Sequence, residues 1–431
     1  MSKEIWQPGI ASCFSQSAGV WNRRVSDGSR SGTARCAAPR GQTGPARENG
    51  LRTGGKRMRT KRELIDRARE LGFCDIGFAT AEPFDSQLEI LRERREAYAW
   101  TEAAGLDLTA GADPRTILPE AKSLIVLLES YLDEAYPHAL EGHFGRCYLD
   151  DDRVTKDGMS KRLARFRAFL REDGIASKAP FHLPQRLAAA RAGVGDFGKN
   201  NFLYARRAAG RSSWVLPLVL VADRAFDPDP PTVSVGCPDW CRNACIAACP
   251  TGAIRGPNRL DPRRCISYLT YYGEGLTPRE LREPMGLWVY GCDRCQNVCP
   301  RNIPWMARER HVNARVAARA DAFDLSRLLA MDKAYFLARV WPHMFYMSER
   351  DLWRWHMNTA RAMGNSRDDR YVGDLTAALA GNADARVRAM AAWAMGRIGG
   401  DPARQTLEGH LSREDGLVAE EVRLALAATR D

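Results

Sequence analysis

The 431-residue sequence predicts an α+β domain, a metal-binding segment and a helical C-terminal region, and three observations carry that expectation. Apolar strand-like runs alternate with amphipathic helical stretches between residues 58 and 232. Eight of the twelve cysteines fall between Cys237 and Cys299. Beyond residue 305 the chain is alanine-rich and repeats itself: Arg354, Ala360, Ala362 and Gly364 recur as Arg386, Ala392, Ala394 and Gly396. With 45% hydrophobic and 27% charged residues, the composition is that of a soluble globular protein and excludes collagen, coiled coil and wholesale disorder. The longest apolar run, Trp214–Ala222, is interrupted by Pro217 and is far shorter than the ~20 residues that span a bilayer.

Charge and order divide the chain at residue 57. Residues 1–57 hold ten Lys/Arg (Lys3 to Arg57) and three acids (Glu4, Asp27, Glu48), so the remainder of the net +11 is nearly neutral, with 54 bases against 50 acids. The segment 1–57 has no apolar periodicity and reads as a disordered or artefactual leader, with translation starting at Met58. Its Arg- and Ser-rich composition also resembles a transit peptide.

From residue 58 to 232 the elements follow in order. Leu64, Ile65, Ala68 and Leu71 are spaced as a helix that Gly72 stops. Cys74–Phe78 reads as a short strand, and Ser123–Leu128 as a strand buried on both faces, after the turn-rich Gly111–Arg115. A basic amphipathic helix over 159–172 presents Leu163, Phe166, Phe169 and Leu170; a second helix covers Gln185–Ala192, and Ser213–Val221 is a buried strand. Gly193-Val-Gly195-Asp-Phe-Gly198 is a literal G-x-G-x-x-G, yet it follows a helix and leads into a strand-like run, the reverse of a dinucleotide fingerprint. The cysteine segment occupies 233–305, and 306–431 reads as HEAT-like helical repeats.

The cysteines carry the chemistry. The first run is Cys237-x3-Cys241-x3-Cys245-x3-Cys249-Pro250, the second is Cys292-x2-Cys295-x3-Cys299-Pro300, and Cys265 stands between them. Ferredoxins with two cubes end each run in Cys-x3-Cys-Pro, and the last cysteine of each run ligates the other cube. That rule assigns Cys237, Cys241, Cys245 and Cys299 to one [4Fe–4S] cluster, and Cys249, Cys265, Cys292 and Cys295 to the other. Two four-thiolate zinc sites are the competing reading, favoured by isolated Cys-x2-Cys pairs and disfavoured by the paired Cys-Pro endings. The spacers of three in the first run depart from the usual two, and the spacing by four also suits one face of a helix.

Asp261-Pro-Arg-Arg-Cys-Ile-Ser-Tyr-Leu-Thr270 and Tyr290-Gly-Cys-Asp-Arg-Cys-Gln-Asn-Val-Cys-Pro300 resemble the epoxyqueuosine reductases, relatives of the reductive dehalogenases. So do Ala112–Arg115, Ala192–Gly195 with Gly198-Lys-Asn200, and Pro250–Ile254; the resemblance covers about 58–431. It implies a nitroreductase-like core, two [4Fe–4S] clusters passing single electrons to a cobalamin, and removal of the epoxide oxygen of a tRNA wobble nucleoside. It also implies Gly195, Lys199 and Asn200 at the cofactor, and a reduced flavodoxin- or ferredoxin-type donor. A cytoplasmic monomer completes the expectation.

The departures lie where the reaction should occur. Ala179 stands at the acid of the family's Asp-x-x-Pro-x-x-Glu-Arg stretch, with His182, Gln185 and Arg186 at its later positions. Gly145-Arg146-Cys147-Tyr148-Leu149 replaces Gly-Arg-Asp-Tyr-His, and Asp196 replaces a tryptophan. Opening a C–O bond leaves an alkoxide that needs a positioned acid. His182, titrating near ~6.5 when free, is one candidate; Asp150, within Asp150–Asp152, is another. Lys161, Arg162, Arg165 and Arg167, or Arg386 and Arg388, are candidate tRNA contacts. The other classes in play are a non-catalytic electron-transfer or scaffold protein and a dehalogenase-like enzyme acting on a small molecule.

Overall fold

The computed structural model describes residues 58–103, 107–256 and 259–428. The leader expected over 1–57 lies outside the described residues. The strands are β1 (Asp75–Thr80), β2 (Ser123–Ser130), β3 (Ser177–Lys178), β4 (Gly195–Phe197), β5 (Leu203–Ala205), β6 (Val215–Ala222), β7 (Ile254–Gly256) and β8 (Arg259–Leu260).

The core is an antiparallel sheet of order β1-β2-β6-β3 with helices on both faces. Its centre shows why β2 is continuously apolar. Ile125 lies between Phe78 and Leu220, and these three join Leu64, Ala68, Phe166 and Leu170 of the helices Lys61–Glu70 and Met159–Glu172. The alternate residues Leu124, Val126 and Leu128 face the other way, against Leu187 and Ala188 of the helix Gln185–Arg191. Period-two alternation thus feeds two cores, and a strand covered on both faces has no polar side to show. The helix Lys61–Glu70 starts where Thr60 and Glu63 form a reciprocal capping box. Gly77 lets the end of the helix Gln185–Arg191 approach: a Cβ there would meet the Ala192 carbonyl oxygen at 2.2 Å.

The glycine-rich segment 193–198 forms β4 and turns into β5 instead of opening a helix. The cysteine segment follows, with the small β7–β8 hairpin between its two runs. The C-terminal helices are Leu352–Ser366, Val372–Gly381, Ala385–Ile398, Asp401–His410 and Gly416–Ala428. The repeated glycines explain the self-similarity of the sequence. A Cβ on Gly364 would lie 2.6 Å from Cα of Ala394, and one on Gly396 would lie 2.8 Å from Cα of Ala425. Each repeat therefore seats on the next through a glycine–alanine contact at the same register.

The repeats are joined to the cysteine segment by buried polar side chains. Asn358 donates to the carbonyls of Thr270 (2.8 Å) and Val289 (3.2 Å), Arg361 donates to those of Gly286 (2.6 Å) and Trp288, and Asn365 donates to those of Arg282 and Gly286. Arg282 in turn pairs with Glu421 at 2.9 Å, both buried.

Candidate iron–sulfur centre and the cavity beside it

The first cysteine run is a loop and not a continuous helix. The Cys241 amide donates to the Pro238 carbonyl, Asn243 adopts a left-handed conformation, and one helical turn, Ala244–Ala247, carries Cys245. The second run repeats the device: Asp293 precedes the turn Arg294–Asn297, which packs against Ala244–Ala247. Helical turns broken by loops let thiols from one short segment point to two places.

The structure brings the eight thiols together as two sets of four. Cys245 has Cys237, Cys299 and Cys241 as its charged neighbours. Cys292 has Cys265 and Cys249, and Cys295 has Cys292, Cys265, Cys245 and Cys249. Cys299, from the second run, sits with the first set, and Cys249, from the first run, sits with the second. All eight are free of disulfides. The second set lines a cavity with Asn200, Phe202, Ile254 and Ile266 among its walls. Among the described residues no group of three or more His, Cys, Asp or Glu is placed to hold a single metal ion; the second set instead surrounds a space. Soft thiolate donors in fours around a space fit an iron–sulfur cube.

The environment of each thiol has identifiable causes. Burial pushes Cys245 and Cys265 up to about 11, and Cys292 and Cys295 well above the ordinary thiol range. Iron must therefore displace protons that burial holds in place. The Lys199 amide donates to Cys237 Sγ (3.3 Å) and opposes the effect of burial there; Tyr204 Oη donates to Cys299 Sγ (3.0 Å) and the Ala253 amide to Cys249 Sγ (3.3 Å). Such donors favour the charged sulfur.

Gly195, Lys199 and Asn200 thus lie on the cysteine side. Gly195 pairs with Ala205 in β4–β5, Lys199 bonds Cys237, and Asn200 Nδ2 donates to Tyr204 Oη (3.0 Å) and the Cys295 carbonyl (3.3 Å). Their place is against the two thiol sets.

A second cavity, of about 300 Å³, opens in the core domain. Glu129, Tyr131, Glu134, Cys147, Asp150 and Arg162 are among its walls. Asp150 faces it and is engaged: Arg315 lies at 2.5 Å, Asn313 donates at 3.0 Å and Arg319 lies at 3.5 Å. Asp151 pairs with Arg153. Burial raises Asp152, yet its carboxylate accepts from the amides of Gly158 (2.7 Å) and Ser160 (3.0 Å) where the next helix starts, a structural duty. His182 lines neither cavity and packs against Gly111, with Asp107 nearby.

The residues that sequence reasoning missed tie this cavity to the second thiol set. The Arg146 amide and guanidinium both donate to Asp293 Oδ2 (2.9 and 3.2 Å), and the guanidinium also donates to Asn297 (2.8 Å). Arg146 precedes Cys147 on the cavity wall, and Asp293 follows Cys292, so one buried ion pair fixes cavity and thiols together. Most of the arginines proposed for tRNA are engaged internally: Arg162 with Glu129, Arg167 with the Ser177 carbonyl, Arg386 with Asp384 and Arg388 with the Asn382 carbonyl. Lys161 and Arg165 remain exposed.

Comparison with known proteins places this geometry. The family described as a 4Fe-4S double cluster binding domain matches residues 238–302, and HEAT repeats match 354–427. The epoxyqueuosine reductase of Staphylococcus aureus is 30% identical over 408 residues, 88% of this chain and all of that protein; that of Bacillus subtilis is 29% identical over 82% of this chain and 92% of its own length. A crystal structure of an epoxyqueuosine reductase with an epoxyqueuosine-modified tRNA stem loop superposes with a TM-score of 0.71 at 28% identity, covering 86% of this chain and 99% of that one. The Bacillus subtilis enzyme, in a structure with its catalytic aspartate loop swung out of the active site, superposes at 0.68 with 28% identity, over 85% and 98% of the two chains. The thiol sets, the helix-flanked sheet and the terminal repeats have one common explanation: this chain belongs to the epoxyqueuosine reductase family of oxidoreductases.

Proposed function

We propose that this chain is an iron–sulfur reductase that removes the epoxide oxygen of a tRNA wobble nucleoside, fed by a reduced flavodoxin- or ferredoxin-type protein. The observation that carries the reading is the grouping of the eight thiols, the second set lining a cavity with Asn200 and Phe202, in a chain of this family. Cys237, Cys241, Cys245 and Cys299 would hold one [4Fe–4S] cluster, and Cys249, Cys265, Cys292 and Cys295 the other. When bound, the clusters supply single electrons at potentials set by burial and by hydrogen bonds to sulfur. The chain's own residues do the rest. Tyr204, Lys199 and Ala253 orient and polarise the sulfurs, the apolar walls around the second set exclude water, and Arg146–Asp293 holds the cavity wall at fixed reach. Each oxygen removed takes two electrons and two protons and leaves as water.

The cobalamin that the resemblance implies would take up those single electrons in the core domain. No helix among the described residues is long and apolar enough to cross a membrane. An epoxyqueuosine-containing tRNA stem loop, incubated anaerobically with the reconstituted and reduced chain, should lose one oxygen atom by mass. Its binding should weaken steeply with salt. A fully reduced, fully loaded protein that leaves the nucleoside intact would favour the second reading, an electron-transfer protein. Ala179, at the position of the family's acid, supports that alternative.

A further inference from the structure

Beside the first thiol set the surface opens into a shallow groove that none of the chemistry above uses. Arg206, Arg207, Arg211 and Arg301 line it, with Gly210 and Pro238, and Asp196 is its one acidic wall residue. Asp196 is neutralised by Arg301 at 2.7 Å, and Arg207 pairs with Asp75 at 3.0 Å. Arg206 and Arg211 are exposed and have no ion-pair partner among the described residues. Ala209, Gly210 and Arg211 are all left-handed, an uncommon run for non-glycine residues, and Trp305 packs under Gly210. The turn that displays Arg211 is thus held from below.

The groove meets an apolar rim at the thiols. Pro238 follows Cys237 directly, and Trp240, between Cys237 and Cys241, is 67% exposed. Val298, next to Cys299, is 36% exposed, and Ile303 is 51% exposed. Exposed aromatic and aliphatic side chains grouped around a buried functional centre, with cations alongside, are the composition of a transient protein interface.

We propose that this face docks a small acidic protein carrying a one-electron centre: the arginine groove steers it, and Trp240, Val298 and Ile303 seat it over the first thiol set. The inference rests on the cluster reading above and adds where electrons enter. Charge complementarity favours an acidic partner. Position favours a protein over RNA. The groove borders the first set and shares no wall residue with the cavity that the second set lines, or with the core cavity that Cys147 lines. Each productive encounter oxidises the carrier by one electron and reduces this chain by one, with no atom transferred.

The test uses the full-length, cluster-loaded chain and a photoreduced plant-type ferredoxin as probe. Its cluster reduction is followed by stopped flow at several ionic strengths, for the unaltered chain, for Arg206→Glu with Arg211→Glu, and for Trp240→Ala. The unaltered rate should fall as salt rises. The double charge reversal should slow reduction about tenfold or more at low salt and flatten the salt dependence. Trp240→Ala should slow reduction at all salt concentrations, and dithionite should bleach every variant alike. Unaltered ferredoxin rates in the variants, with normal dithionite bleaching, overturn the docking surface alone. Loss of tRNA stem-loop binding by the charge reversal, with donor rates intact, overturns it in favour of RNA. Failure of dithionite to bleach the unaltered chain overturns the cluster reading and the docking surface with it.

Discussion

The two thiol sets are made from near-duplicate sequence and live in different surroundings. The first is at the edge of the molecule, beside the exposed Trp240 and a groove of arginines. The second is walled by the core domain on one side and tied to the repeats on the other, through Arg146–Asp293 and through Asn358 and Arg361. Burial raises the second set's Cys292 and Cys295 far above the ordinary thiol range, while the first set's Cys237 is raised less and accepts an amide hydrogen bond. Motif spacing therefore decides which atoms are bound, and the surrounding fold decides what each centre does. The first set lies beneath exposed side chains that another protein can approach; the second lies between the core domain and the repeats.

The largest effect should come from removing ligands across both sets. Cys292→Ser with Cys299→Ser takes one thiol from each set and should lower the iron content and bleach the ~400 nm absorbance expected of such clusters. Full iron content in that variant would end the assignment. Cys249→Ser with Cys265→Ser should remove about half the iron and leave the first centre reducible by dithionite, which makes the two regions separable.

Next comes the tie between cavity and second set. Asp293→Ala leaves Arg146 with Glu141 as its remaining carboxylate and should cost about 1–3 kcal/mol in denaturant unfolding of the cluster-loaded protein. An effect below ~1 kcal/mol would show that the second set is not anchored through this pair. A smaller change is expected of Tyr204→Phe, which removes the hydrogen bond to Cys299 Sγ. It should cost about 1 kcal/mol and move the first centre's midpoint potential downward, because the oxidised, less negative cluster loses less when a donor is withdrawn. The second centre's potential should stay in place.

Much of this was legible in the sequence, for reasons visible in particular residues. The unbroken apolar run of β2 follows from burial on both faces, and the repeated Gly364 and Gly396 mark equivalent helix contacts. The crossover proposed for Cys299 and Cys249 rests on the Cys-x3-Cys-Pro endings of both runs. The rest depends on partners distant in the chain. Nothing near Asp150 announces Arg315, and nothing near Arg162 announces Glu129, so a candidate acid and a candidate RNA contact both proved to be ion-paired. Arg146 and Asp293 lie in different domains of the sequence and meet only once the chain folds. The arginine groove is likewise assembled from residues 206–211 and 301, which no local pattern connects.

The crossover itself is the most direct point of test, because it makes sequence order and spatial grouping disagree. Electron paramagnetic resonance of the reduced protein, recorded for Cys237→Ser, Cys299→Ser and Cys292→Ser, reads that grouping. Cys299→Ser should perturb the same signal as Cys237→Ser and leave the signal altered by Cys292→Ser intact. If Cys299→Ser and Cys292→Ser instead perturb one signal in common, while Cys237→Ser perturbs another, each run holds its own centre and the account is wrong.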